Sequence, residues 1–202
     1  MSTPAESKPA VAPVLKGIVN VRESQLRLVT SVRLRWMAVL GQLAAVALIK
    51  LYYGLPFNIG NCLILIAMSA WLNVFLSIRY PARYRLSTSL AFGLLVYDVL
   101  QLAGLLYFTG GIQNPFSVLL VAPVTVAAAT QPMRYTFILG AIVIAVGGVL
   151  ISFHDPLPWY EGLRFELPRD YKIGSLTALV ASMIFMAFYT WRLNKEARQM
   201  SA

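Results

Sequence analysis

A polar turn without charge interrupts a long apolar stretch of this chain. It reads Thr109, Gly110, Gly111, Ile112, Gln113, Asn114, Pro115, Phe116, and no Asp, Glu, Lys or Arg occurs anywhere from residue 99 to residue 133. Twelve residues before Gly110 stands Asp98, followed at i+3 by Gln101. These residue types suit the binding of a flat, apolar ring that carries carbonyl oxygens. Gly110 and Gly111 allow a ring close to the backbone. Tyr107, Phe108 and Phe116 supply a stackable apolar wall. Gln113 and Asn114 add orienting amides, and the helix start after Asn114 presents unpaired N–H groups to an oxygen. A lipid-soluble quinone meets that description.

The same turn has a purely structural reading. A glycine in the left-handed conformation ends one helix, Asn114 caps the next, and Pro115 suits its first position. Asp98 is also open to two readings. On an ideal helix Asp98, Gln101, Leu102, Leu105 and Thr109 share one broad face, so a polar stripe leads from mid-helix to the turn. Polar groups in membrane helices often serve helix–helix hydrogen bonding. An intramembrane carboxylate is nonetheless a functional-site candidate by default. It needs a partner or a proton, and the helix that carries it contains no basic residue.

The elements that must position these residues are membrane helices. The chain has 202 residues, 58% of them hydrophobic and only 12% charged, more apolar surface than a soluble domain of this size can cover. Six apolar segments near the length of about 20 residues needed to cross a bilayer fall at 36–53, 58–78, 86–108, 115–131, 135–153 and 173–191. They do not alternate as barrel strands would, so the fold class is all-α and polytopic. The fourth segment is short and carries Pro123, which predicts a kink. The fifth carries Ala141, Ala145 and Gly148 beside Gly140 and Gly147, a pattern for close helix packing within one chain or between two. Residues 1–20 read as a disordered tail, 21–35 as a basic juxtamembrane helix, 36–191 as the membrane domain and 192–202 as the start of a cytoplasmic helix.

The net charge of +9 does not point to nucleic acid. Thirteen of the 17 Lys and Arg fall in the N-terminal tail, the second loop, around Arg134 and in the C-terminal tail, against four on the other side. By the positive-inside rule both termini are cytoplasmic, and the remaining basic surface faces anionic lipid of the bilayer. Cys62, the single cysteine, cannot form an intrachain disulfide and reads as a small apolar residue. The sole histidine, His154, lies in the one sizeable outer loop and reads as solvated. That loop, 154–172, is far too short for a folded sensing domain.

From Asp98 and Gln101 through Tyr107 to the Gly-Gly-Ile-Gln-Asn-Pro-Phe run at 110–116, the chain resembles the sensory membrane region of the RegB, PrrB and ActS redox-responsive sensor histidine kinases. The resemblance extends from about residue 26 to the end. It implies ubiquinone as the sensed ligand, held at the 110–116 turn; Thr109, Phe108, Gln101 and Asp98, from the wall and the polar stripe read above, join that turn as candidate binding residues. It also implies a homodimer, control of an attached kinase, and a phosphorelay to a response regulator. The phosphoacceptor and ATP-binding domains that such a kinase needs are not among these residues, so the chain alone is expected to be inactive as a kinase, with ATP bound only by the missing core. Cys62 does not correspond to the family's cytoplasmic regulatory cysteine.

The sequence as a whole points to a six-span membrane redox-sensor module that passes a quinone signal through its last span. Two other classes are weighed beside it. A quinone-binding subunit of a membrane oxidoreductase would need haem ligands or a proton chain. A small proton-coupled transporter would use Asp98 as its carrier.

Overall fold

The computed structural model describes residues 28–81, 86–159 and 165–200. Six helices account for nearly all of it: α1 Leu28–Ala47, α2 Ile59–Arg79, α3 Thr88–Tyr107, α4 Val121–Thr130, α5 Met133–Ser152 and α6 Arg169–Met200. Among the described residues five helices are long and apolar enough to cross a membrane, and Pro115–Thr130, which includes α4, is a shorter apolar segment. The 1–20 tail and the first part of the 21–35 segment lie outside the described residues. From Leu28 onward that segment is continuous with α1, and Thr30 already falls inside the first candidate span.

Local chemistry sets the helix ends. α1 closes through a π-helical turn, Leu48–Tyr52, and Gly54 at φ +64° reverses the chain. Asn58 then caps α2, its side chain accepting from the Asn61 amide. α2 stops at Tyr80, whose extended backbone is what the following Pro81 imposes. Ser87 caps α3 by accepting from the Leu90 amide at 3.3 Å. At the end of α4, Gln131 is extended ahead of Pro132 in the same way as Tyr80.

The expected irregularity at Pro123 is real and sits just before it. Pro115–Leu120 is a 3-10 helix, and regular α-helix begins only at Val121. Proline lacks the N–H that would bond back to residue 119, so a tighter turn there loses little.

The main core lies among α3, α4, α5 and α6, where Val99, Leu106, Leu120, Val124, Leu139 and Val143 are almost fully enclosed. α6 packs most extensively on α4. Gly140 and Gly147 serve the contact of α5 with α6, lying against Met183 and Leu176. α1 packs along α2, sealed by Val39, Cys62 and Ile66. It is also tied to α2 by Asn73, which donates to the Val32 carbonyl at 2.9 Å. Between α1 and α4 the bundle is open.

Candidate functional site

The turn after α3 is built from its own polar atoms. Thr109 donates its hydroxyl to the Leu105 carbonyl at 2.7 Å. Gly110 (φ +110°) and Gly111 (φ +65°) take backbone conformations that L side chains rarely adopt. Asn114 then binds in both directions. Its Nδ2 donates to the carbonyl and the hydroxyl of Thr109, each at 2.8 Å, and its Oδ1 accepts from the Phe116 amide at 2.9 Å. One side chain therefore closes the hairpin and caps the next helix.

The loop between α5 and α6 folds onto this turn. A Cβ on Gly110 would lie 2.5 Å from the Leu157 side chain, and one on Gly111 would meet the Leu150 carbonyl and the His154 ring. Gln113 turns towards the loop as well, its Oε1 accepting from the Leu167 amide at 2.9 Å while its buried Nε2 has no partner. His154 is not the solvated loop residue expected. Its Nδ1 lies 2.8 Å from the Asp155 carbonyl and its Nε2 lies 3.1 Å from Lys172 Nζ. The ring is thus held between the loop backbone and the start of α6. Lys172, itself buried, also pairs with Glu166 at 2.9 Å.

Below the turn, α1, α3 and the 115–126 segment enclose a cavity of about 430 Å³. Asp98, Gln101, Thr109, Asn114 and Phe116 all line it, together with apolar residues such as Leu102, Leu105 and Pro123. Gly110, Gly111, Ile112, Gln113, Pro115 and Phe108 do not. Ile112 is enclosed in the core, and Phe108 lies edge-on to Tyr107. The cavity opens sideways between α1 and α4, where Leu34, Phe116 and Leu119 on its rim remain about half exposed.

Two polar contacts from α1 complete the site, and both were missing from the sequence reading. Arg35 forms a bidentate pair with Asp98, Nε to Oδ1 at 2.9 Å and Nη2 to Oδ2 at 3.0 Å, and lies over the Tyr97 ring. The carboxylate that lacked a cation on its own helix therefore receives one from α1. Arg35 had been counted with the basic tail, where it read as a topology signal. Gln42 and Gln101 exchange hydrogen bonds at 3.2 and 3.0 Å. Arg35 and Gln42 are seven residues apart, so they fall on one helix face. That spacing, set against Asp98 and Gln101 on α3, is the signal that could have revealed them.

An ion pair, a paired set of amides and an open-sided cavity beside a capped turn stand in one place. A model of the PilS-like transmembrane domain matches residues 22–201. The chain belongs to the PilS-like transmembrane domain family. It is also similar to two curated proteins called sensor histidine kinase RegB, one from Cereibacter sphaeroides and one from a named strain of that species. Each is 38% identical over 187 residues, which is 92% of this chain and 40% of theirs. The chain thus spans about two-fifths of the length of the curated relatives it matches. The resemblance first read from residues 98–116 extends to nearly the whole chain. No solved structure matches it. A PilS-like domain of apolar helices with this kinship is a multi-pass protein of the bacterial inner membrane.

Proposed function

We propose that this region is the quinone-sensing membrane part of a redox-responsive sensor histidine kinase. The observation that carries the proposal is the cavity between α1, α3 and α4. Its volume is in the range of about 300–1,000 Å³ usual for small-molecule sites, and it combines apolar walls with a few placed polar groups. A substituted benzoquinone is flat and apolar with two carbonyl oxygens, and its isoprenoid tail is soluble in lipid. The opening between α1 and α4 admits such a molecule from the bilayer, with Phe116 at the rim as a stacking surface. Ubiquinone is the quinone that the kinship with RegB-type kinases favours.

In this reading both termini are cytoplasmic, the protein works as a homodimer, and α6 leads into a kinase core. That core binds ATP and passes phosphate to a response regulator. The split of basic residues supports the orientation. Reporter fusions at Arg83 and Glu161 should read on the cytoplasmic and outer sides respectively, and the reverse result would invert the model.

Quinone titration of the chain in lipid nanodiscs, read by tryptophan fluorescence, tests the ligand. Short-tailed ubiquinone should quench saturably. Phe116→Ala should weaken binding several-fold through loss of the aromatic wall, with the helix content unchanged by circular dichroism. Absence of saturable quenching in the unaltered chain would remove the quinone from this account.

A further inference from the structure

A quinone carbonyl only accepts hydrogen bonds, so the site that holds it must have a donor to spare. Most polar groups around the cavity have none. Both N–H groups of Asn114 are taken by Thr109, and the Thr109 hydroxyl is given to Leu105. Nε and Nη2 of Arg35 are bound to Asp98, and its Nη1 has no accessible surface. Asp98 in that pair can only accept. The two hydroxyls that remain lie elsewhere on the wall, Ser69 on α2 and Ser31 in the first turn of α1.

The paired amides of Gln42 and Gln101 are different. Each amide has two N–H donors and uses one in the reciprocal contact. Each therefore keeps one N–H and acceptor capacity, and both residues line the cavity. We propose that the paired carboxamides of Gln42 and Gln101 hold a carbonyl oxygen of the quinone ring, which places the head group in the middle of the bundle rather than at the turn. Gln101 is eight residues from Thr109, about 12 Å along the helix. On this reading the turn shapes the mouth and end of the cavity, and the glutamine pair reads the ring.

The assignment rests on the quinone reading above and adds a redox consequence to it. Asp98 lies one turn before Gln101 on the same face, partly exposed, with carboxylate lone pairs beyond those given to Arg35. A hydroquinone hydroxyl can donate to Asp98, whereas an oxidised ring has nothing to donate. The oxidised ring therefore depends on the glutamine donors alone, and the reduced ring does not.

Gln42→Met and Gln101→Met keep side-chain length and helix propensity while removing the donors. Each should weaken binding of oxidised ubiquinone-1 to the full chain in nanodiscs by about five- to tenfold, the worth of one or two neutral hydrogen bonds. Binding of the reduced form should weaken less, so the ratio of the two affinities should move. A purely structural role would lower both alike. Infrared difference spectra with carbonyl-labelled ubiquinone give an independent reading. The unaltered chain should shift one carbonyl band below its free frequency, and the shift should shrink in each Met variant and vanish in the double variant.

If the unaltered chain binds no quinone, the functional reading fails and this assignment with it. If it binds quinone without a shifted band, the assignment alone is overturned. The same holds if both Met variants retain the affinity ratio while Phe116→Ala loses binding, because the head group would then sit at the turn.

Discussion

Asp98 and Arg35 show how a single residue in a membrane bundle answers for its cost. A charge at mid-span is tolerated when it faces the bundle interior with a partner. Here the two-point contact matches a planar guanidinium to a carboxylate. Such a pair is asymmetric in its energetics. Removing one partner strands the other, which in a fully buried pair costs about 3–5 kcal/mol, whereas replacing both by apolar residues can be close to neutral. The penalty here should be smaller, since Asp98 keeps about a third of its side chain open to the cavity. Arg35→Met and Asp98→Leu should each lower the thermal midpoint in nanodiscs, and the double variant should recover most of the loss. Additive losses would mean that the two side chains act independently. The carboxylate and its glutamine were legible from the sequence because they are polar residues in an apolar run. Arg35 was not, because it stands among Arg22, Arg27 and Arg33, where a basic residue already has a sufficient explanation in topology. Only three-dimensional pairing separates it from its neighbours.

At the scale of elements, the turn between α3 and the 115–126 segment is two hairpins' worth of chemistry in eight residues. Asn114 closes it from within, and the loop between α5 and α6 covers it through Leu157, His154 and Leu167. The glycines are therefore required by backbone conformation and by what lies against them. Gly111→Ala places a methyl group 2.5 Å from the Leu150 carbonyl, at a φ of +65°. Left-handed backbone in a residue other than glycine costs about 1 kcal/mol or more, and overpacking adds about 1–3 kcal/mol. Gly111→Ala should lower the thermal midpoint and expose the loop to limited proteolysis near residue 157. An unchanged digestion pattern would show that the loop does not depend on this contact. The capping roles of Asn114 and Pro115 were readable from local rules alone. The descent of the loop was not, because Leu157 and Leu167 contribute through tertiary contacts that leave no periodic trace, and His154 finds Lys172 from 18 residues away.

Across the whole molecule, one path of packing joins the cavity to the end of α6. The 115–126 segment lines the cavity and becomes α4, α4 packs more extensively on α6 than on any other helix, and Asn194 donates to the Ala129 carbonyl at 3.4 Å. α6 is unbroken over its 32 residues and passes Trp191 to reach Met200, with Arg192 and Glu196 paired at i,i+4 on its exposed side. On the proposed function, a rigid helix of that kind would carry a small shift or rotation of α4 towards the kinase core. Six apolar spans were legible from composition and length. This route was not, because no periodicity tells which of five neighbours α6 will grip. The route depends on helical phase, and phase can be changed without touching the cavity. One residue inserted after Lys195 turns everything downstream by about 100°, whereas seven residues come within about 20° of two full turns. In a fusion of this region to a RegB-type kinase core, the one-residue insertion should abolish the effect of added quinone on autophosphorylation. The seven-residue insertion should retain most of it, with quinone binding equal in both. Equal control of the kinase by the two insertions would mean that the end of α6 is a flexible tether, and that the signal leaves the bundle by another helix.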